Sequence, residues 1–196
     1  MMNKYRYIVG VDEVGRGPVA GPVTVGVVCI KNTFPRSFFK GIKDSKKLSE
    51  KKREEWAKKD TPKDLKYSIT SISSSVIDKI GINASISLAM KKSLDKLKIN
   101  PKDCIVLLDG GLRAPQKYLN QKTIIKGDEK EPAISFASIL AKVNRDNQMK
   151  KFSKKYTGYG FEKNKGYGTR EHMKKIREIG LSKIHRRSFL NKVAFF

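Results

Sequence analysis

Val11-Asp12-Glu13-Val14-Gly15-Arg16-Gly17-Pro18 follows directly on the apolar run Tyr7-Ile8-Val9, so two adjacent carboxylates end a strand and a Gly-Arg-Gly turn succeeds them. Charges at the open edge of a sheet are costly for packing, yet carboxylate oxygens placed there suit hard cations. Gly15 and Gly17 carry no Cβ, which lets backbone approach a ligand closely, and Arg16 between them offers a planar fork matched to phosphate. Read alone, the octet is equally a β-turn bearing a surface arginine, so the rest of the chain has to agree.

Working outward, residues 5–12 and 23–30 read as two strands joined by a Gly- and Pro-rich turn, an antiparallel hairpin. Alternation over 67–72 gives a third strand, the continuous apolar run 104–108 before Asp109 suits a buried central strand, and 123–125 makes a further short one. Ile82, Ile86, Ala89, Met90, Leu94 and Leu97 share one helical face, and that helix ends near Asn100-Pro101. A longer helix opens near Pro132 and carries Phe136, Ile139, Leu140, Val143 and Phe152 inward, with a strongly basic outer face. From Thr169, the residues Met173, Ile176 and Ile179 mark a last amphipathic helix stopped by Gly180. The charged stretch 43–59 is interrupted by Leu48 and Trp56 and has Ser45 or Ser49 as a cap, so it reads as a folded basic helix.

The 196 residues suit one domain. Lys plus Arg number 43 against 19 Asp plus Glu, a formal charge of +24, which implies a polyanionic partner. Basic residues crowd 43–59, 142–155 and 163–187, whereas Asp12, Glu13 and Asp109 follow apolar strands, a layout suited to nucleic acid meeting bound metal ions. Cys29 and Cys104 each lie in an apolar run and read as buried thiols of a reducing cytosol. The N-terminus lacks a signal core and no apolar run is long enough to span a bilayer, so a cytoplasmic protein without a membrane partner is expected.

Four acidic positions share a context: Asp12 and Glu13 after the first strand, Asp109 after Leu107-Leu108, and Asp128 just past 123–125. With neighbouring strands about 4.8 Å apart, carboxylates at adjacent strand ends can converge on two divalent ions. Such ions, about 4 Å apart, would activate a water, steady the leaving oxygen and neutralise charge in phosphodiester cleavage. Singly, Asp109 and Asp128 are equally turn-forming residues beside glycine.

Six blocks, in order, resemble the type 2 ribonucleases H, also called ribonuclease HII: residues 10–18, Asp44-Ser45-Lys46-Lys47-Leu48-Ser49, Leu108-Asp109-Gly110, Lys126-Gly127-Asp128, residues 137–146, and Lys165-Gly166-Tyr167-Gly168-Thr169 with His185-Arg186-Arg187-Ser188-Phe189. The resemblance implies an α/β ribonuclease H-like fold, a central mixed β-sheet flanked by helices, over a single catalytic domain 1–196 in which roughly 156–196 form a helical substrate-binding appendage. It implies metal-dependent cleavage of RNA in RNA/DNA hybrids and incision 5′ of a lone ribonucleotide in duplex DNA. By motif, Asp12, Glu13, Asp109 and Asp128 become the catalytic and metal-binding set for two divalent ions, Mg2+ or Mn2+. Asp146 belongs to a family-like block but can instead orient Arg145 or Lys142.

Cutting at one ribonucleotide requires sensing a 2′-hydroxyl, which both donates and accepts. In the family the triplet matching Gly15, Arg16 and Gly17 contacts the ribonucleotide, and the tyrosine matching Tyr167 stacks on the sugar of the next deoxynucleotide. Lys46, Lys47, Lys142 and Arg145 are expected to hold phosphates, giving salt-sensitive affinity without sequence preference, although each could equally solvate the surface. His172 and His185 lie in no ligand-spaced cluster and are assigned structural roles. Two departures stand out: Val14 replaces a commoner alanine, and Phe136 puts bulk where small residues are usual. The ending Phe189–Phe196 has paired aromatics but no glutamine, and Lys192 stands where a clamp-binding peptide wants an aliphatic, so sliding-clamp binding is not expected. A monomer is the default expectation.

Two rival readings remain. The type 3 ribonucleases H handle single ribonucleotides poorly; they usually carry lysine at the place of Arg16 and an added N-terminal domain, whereas the first strand here begins within a few residues of Met1. A nonenzymatic basic nucleic-acid-binding module would use the same carboxylates only to organise turns.

Overall fold

The computed structural model describes residues 4–42 and 45–191. The hairpin is β1 (Tyr7–Val14) and β2 (Val23–Lys31), antiparallel in the register Val9↔Cys29 and Asp12↔Gly26. β3 (Leu65–Ile72) adds antiparallel to β2, β4 (Cys104–Asp109) runs parallel to β1, and β5 (Gln121–Ile124) runs parallel to β4, giving the order β3-β2-β1-β4-β5. The sheet is mixed, with the carboxylate-bearing strand β1 at its centre. The run 104–108 is therefore inner but one place off centre, and β5 stops at Ile124, leaving Ile125 exposed.

Helices cover both faces, as a parallel β1/β4 pair requires. α1 (Glu50–Lys58) is capped by Ser49, whose hydroxyl accepts the Lys52 N–H. α2 (Ser74–Ile80) leads into α3 (Ile82–Leu97), whose Ile86, Ala89, Met90 and Leu94 pack with Val9, Val11, Val25, Val27 and Val106. On the other face, α4 (Gly127–Lys130) precedes α5 (Pro132–Lys155), whose Ile134, Phe136, Ala137 and Leu140 pack with Ile8, Val28, Ile30 and Leu107. Phe136 is fully buried and meets Phe38, Phe39 and Trp56 edge-on, so its bulk is absorbed by an aromatic cluster under α1. Beyond Ala141 the buried residues are Arg145, Asp146 and Met149, while Val143 and Phe152 are half-buried.

α5 lies so close to the hairpin that the strands need glycine beneath it. A Cβ on Gly10 would lie 2.3 Å from the Ala133 carbonyl carbon, and one on Gly26 would lie 2.3 Å from the Ala137 carbonyl oxygen. Neither neighbour can swing aside, because both are helix backbone. Gly26→Ala is therefore expected to cost about 3 kcal/mol or more by overpacking, read as a fall in the denaturant midpoint; a change below about 0.5 kcal/mol would contradict this packing.

The C-terminal part consists of α6 (Phe161–Asn164), α7 (Arg170–Ile179) and α8 (Arg187–Leu190), around a third apolar cluster of Ala20, Met149, Tyr159, Phe161, Ile176, Ile184 and Leu190. Thr169 caps α7 and Gly180 ends it, but Ile179 is 52% exposed, one step off the inward face that Ile176 occupies. Cys29 and Cys104 are free and buried, and burial pushes their thiols up to about 12 and about 11. No helix among the described residues is long and apolar enough to cross a membrane.

Candidate active site

Strand alternation sorts the first two carboxylates. Gly10 and Asp12 face α5, whereas Val9, Val11 and Glu13 face α3. On parallel β4, Leu107 faces α5 beside Gly10, so Asp109 follows on the same side as Asp12. Asp128 does not close a strand: it lies in the first turn of α4, buried, and the preceding Gly127 N–H donates to Asp109 Oδ1 at 2.7 Å. Asp12, Asp109 and Asp128 are thus gathered along one sheet edge beside α5, while Glu13 stands next to Asp12 on the opposite face.

Asp12 is the electrostatic centre. Burial, with Glu13 and Asp109 adding repulsion, pushes its carboxyl up to about 8, while hydrogen bonds from the Ser138 hydroxyl and the Glu13 N–H oppose the rise. Burial also raises Glu13, with the Arg16 guanidinium 3.6 Å away opposing. A buried carboxyl crowded by like charges is the arrangement that a bound cation stabilises. The donor set is entirely carboxylate oxygen, the chemistry of hard divalent ions. Among the described residues no three His, Cys, Asp or Glu side chains are arranged to hold a metal ion as they stand.

The lysines cluster around this edge. Ser45 bonds Ser138 at 2.8 Å and Arg53 donates to the Ser45 and Leu48 carbonyls, which docks the short 3-10 turn Ser45–Lys47 onto α5. Lys46 Nζ lies 3.6 Å from Asp128 and Lys47 Nζ 3.0 Å from Glu129, both lysines largely exposed. Lys142 Nζ pairs with Asp146 at 2.7 Å, and Arg53 lies 3.9 Å from the other oxygen of Asp146, so Asp146 holds Lys142. Asp44, in the same sequence block, lies outside the described residues.

Arg145 corrects the expectation of a phosphate contact. It is fully buried and donates to the carbonyls of Pro22 (2.9 Å), Lys165 (2.9 Å) and Ala20 (3.3 Å), so its charge is spent inside, tying the turn after β1 to the loop before α7. Its guanidinium passes where a Cβ on Gly15 would stand, and Gly15 has φ +92°, so that position demands glycine twice over. Arg16 and Gly17 are exposed, and a Cβ on Gly17 would stand 4.0 Å from the Tyr167 ring, itself 47% exposed. The Gly15-Arg16-Gly17 turn and Tyr167, 150 residues apart, therefore form one surface beside Asp12 and Glu13.

Behind Tyr167 the two histidines meet. The Tyr167 carbonyl needs a donor, so His172 carries its proton on Nδ1 (2.8 Å) and accepts through Nε2 from the His185 Nε2–H at 3.1 Å. His185 Nδ1 in turn accepts from Ser182. Both rings are buried and neutral; burial lowers both, bringing His185 down to about 4, with His172 adding to the fall. Because the folded-state value lies below the unfolded 6.5, stability is full above pH 6.5 and is lost as pH falls towards 4, by up to about 3 kcal/mol. Chemical denaturation from pH 8 to pH 4 should show this fall, and His185→Gln should flatten it; equal slopes in the two proteins would contradict the assignment.

A cleft of about 810 Å³ lies elsewhere, between α3 and β5, and none of the four carboxylates lines it.

Against known proteins, residues 9–192 match the family model described as Ribonuclease HII. A Ribonuclease HII of Caldicellulosiruptor bescii is 47% identical over 189 residues, 96% of this chain and 89% of that protein. Among solved structures, the PCNA:RNase HII complex from Archaeoglobus fulgidus superposes with TM-score 0.76 at 24% identity, over 96% of each chain. Bst-RNase HIII in complex with Mn2+ follows with TM-score 0.64 at 18% identity, over 95% of this chain and 65% of that one. The last two likenesses speak to the fold, which is ribonuclease H-like.

Proposed function

The chain belongs to the ribonuclease HII family, and on that footing we propose that it hydrolyses RNA within RNA/DNA hybrids and incises duplex DNA 5′ of a single embedded ribonucleotide, leaving 3′-hydroxyl and 5′-phosphate ends. As a ribonuclease H it is a metal-dependent nuclease. The observation that carries the finer reading is the shared surface of Gly15-Arg16-Gly17 and Tyr167 beside Asp12 and Glu13.

Asp12, Glu13, Asp109 and Asp128 would hold two divalent ions, Mg2+ or Mn2+, which when bound supply charge neutralisation at the scissile phosphate and a more acidic water. The protein's own groups do the rest. The Ser138 hydroxyl donates to Asp12 and the Gly127 N–H to Asp109, which restrains both carboxylates. Lys46, Lys47 and Lys142 offer exposed or half-exposed ammonium groups to the phosphates on either side. Backbone of the Gly15–Gly17 turn meets the ribose 2′-hydroxyl, and the Tyr167 ring packs on the following deoxyribose, where a hydroxyl would intrude. The C-terminal cluster from about residue 156 presents Tyr167 and acts as the substrate-binding appendage.

The relative from Archaeoglobus fulgidus is described with PCNA. We take a monomer as the acting unit, and the stretch Phe189–Phe196, with no glutamine and with Lys192 where an aliphatic is wanted, is not read as a clamp-binding peptide; residues 192–196 lie outside those described. The type 3 alternative is separated by comparing initial rates on a duplex with one ribonucleotide and on a long hybrid, in Mg2+ and in Mn2+. Rates within about tenfold of each other are expected; digestion of the hybrid alone would favour the type 3 activity.

A further inference from the structure

We propose that Arg186 is a positioning residue for recognition of the ribose 2′-hydroxyl, setting the direction of two backbone N–H groups in the Gly15-Arg16-Gly17 turn. The inference rests on the reading that this turn contacts the ribonucleotide. Arg186 is fully buried, yet it donates Nη2–H to the Gly15 carbonyl at 2.7 Å and Nη1–H to the Arg16 carbonyl at 3.0 Å. Its Nε–H reaches the Gly21 carbonyl at 3.0 Å. In a trans peptide the C=O of one residue and the N–H of the next point in opposite directions, and every described peptide bond here is trans. Holding the Gly15 oxygen inward therefore turns the Arg16 N–H outward, and holding the Arg16 oxygen inward turns the Gly17 N–H outward. Neither N–H has an acceptor among the described residues.

The device needs an arginine. Three donors in one rigid plane serve three separate peptide units, which a lysine ammonium on a flexible stem cannot do at once. The anchor is itself anchored: the Arg186 N–H donates to the Val19 carbonyl at 2.8 Å, its guanidinium lies 5.0 Å from the centre of the Phe189 ring, and Asp78 accepts the N–H groups of Arg187 and Ser188. Arg145 braces the same turn from Ala20 and Pro22, but it touches neither of the carbonyls that orient the exposed amides. Among the described residues, Arg186 alone donates to the two carbonyls that set those planes.

The test compares dissociation constants, by fluorescence anisotropy in Mg2+, for a duplex with one ribonucleotide and the same duplex in all-DNA form. Asp109→Asn serves as the parent so that product does not accumulate, and Arg186→Lys is added to it. Each hydrogen bond to the hydroxyl is worth about a factor of ten, so the parent should prefer the ribonucleotide by about tenfold or more. With Arg186→Lys the preference should collapse to within about twofold while all-DNA affinity, set by phosphate contacts, is unchanged. A preserved preference would overturn the proposal and leave Arg186 a packing residue. A parent with no preference would instead overturn the underlying reading of the turn, and this proposal with it. Should Arg186→Lys not fold, Arg186→Gln, which keeps amide donors without charge, is read by the same ratio.

Discussion

Asp109→Asn is expected to lower kcat by about a thousandfold or more, equivalent to about 4 kcal/mol or more of transition-state stabilisation. The substitution is chosen because it isolates charge. Asp109 Oδ1 accepts the Gly127 N–H that begins α4, and an asparagine carbonyl retains that bond, so the position of Asp128 should survive. What is lost is one negative charge on the face shared with Asp12, and with it much of the attraction for divalent ions. Removing a like charge beside buried Asp12 should leave thermal stability equal or slightly raised. A variant that is folded, no less stable and nearly inactive at saturating Mg2+ would separate the carboxylate's chemical role from a structural one. A fall of less than tenfold would move the chemistry away from Asp109.

The second large effect belongs to Tyr167. Its ring stands half-exposed over Gly17, while its backbone is fixed from two sides: the N–H donates to the Asn164 carbonyl at 2.9 Å, and its own carbonyl accepts from the Thr169 N–H and His172. The ring can be removed without releasing the loop. Stacking of an aromatic side chain on nucleic acid is worth about 1–3 kcal/mol, so Tyr167→Ala should lower kcat/KM for single-ribonucleotide duplexes by about 10- to 100-fold. Tyr167→Phe, which keeps the ring, should stay within about threefold. Long hybrids have no deoxynucleotide following each cut, so their cleavage should fall less. Equal losses on both substrates would make Tyr167 a general duplex contact and remove its part in reading the junction.

Much of this arrangement is legible in the amino-acid sequence, and the gaps have physical causes. Hydrophobic periodicity locates the hairpin, α3, α5 and α7, because one-sided burial leaves its period in the chain. It misplaces Ile179 by one helical step, since a residue beside a terminating Gly180 belongs to the period without reaching the core. Asp128 reads as a strand end because Ile125 extends the apolar run, yet β5 stops at Ile124 and the helix that follows carries the carboxylate. Arg145 reads as a surface cation on a basic helix; nothing local reveals that three carbonyls from distant loops cancel its burial cost. The partnership of His172 with His185 and the grip of Arg186 on Gly15 and Arg16 are likewise long-range. Their only trace in the chain is polar residues within an apolar neighbourhood, such as His185-Arg186 between Ile184 and Phe189.

The most direct measurement uses an end-labelled DNA duplex with one ribonucleotide, incubated with Mg2+ and the native protein, beside Asp109→Asn and an all-DNA control. One cut, 5′ of the ribonucleotide, that is absent from the all-DNA duplex and lost in the folded Asp109→Asn variant is the expected result. Tight binding of the duplex by the native protein with no product in Mg2+ or Mn2+ would contradict it, and would leave the carboxylates of β1 and β4 as organisers of turns in a nucleic-acid-binding module.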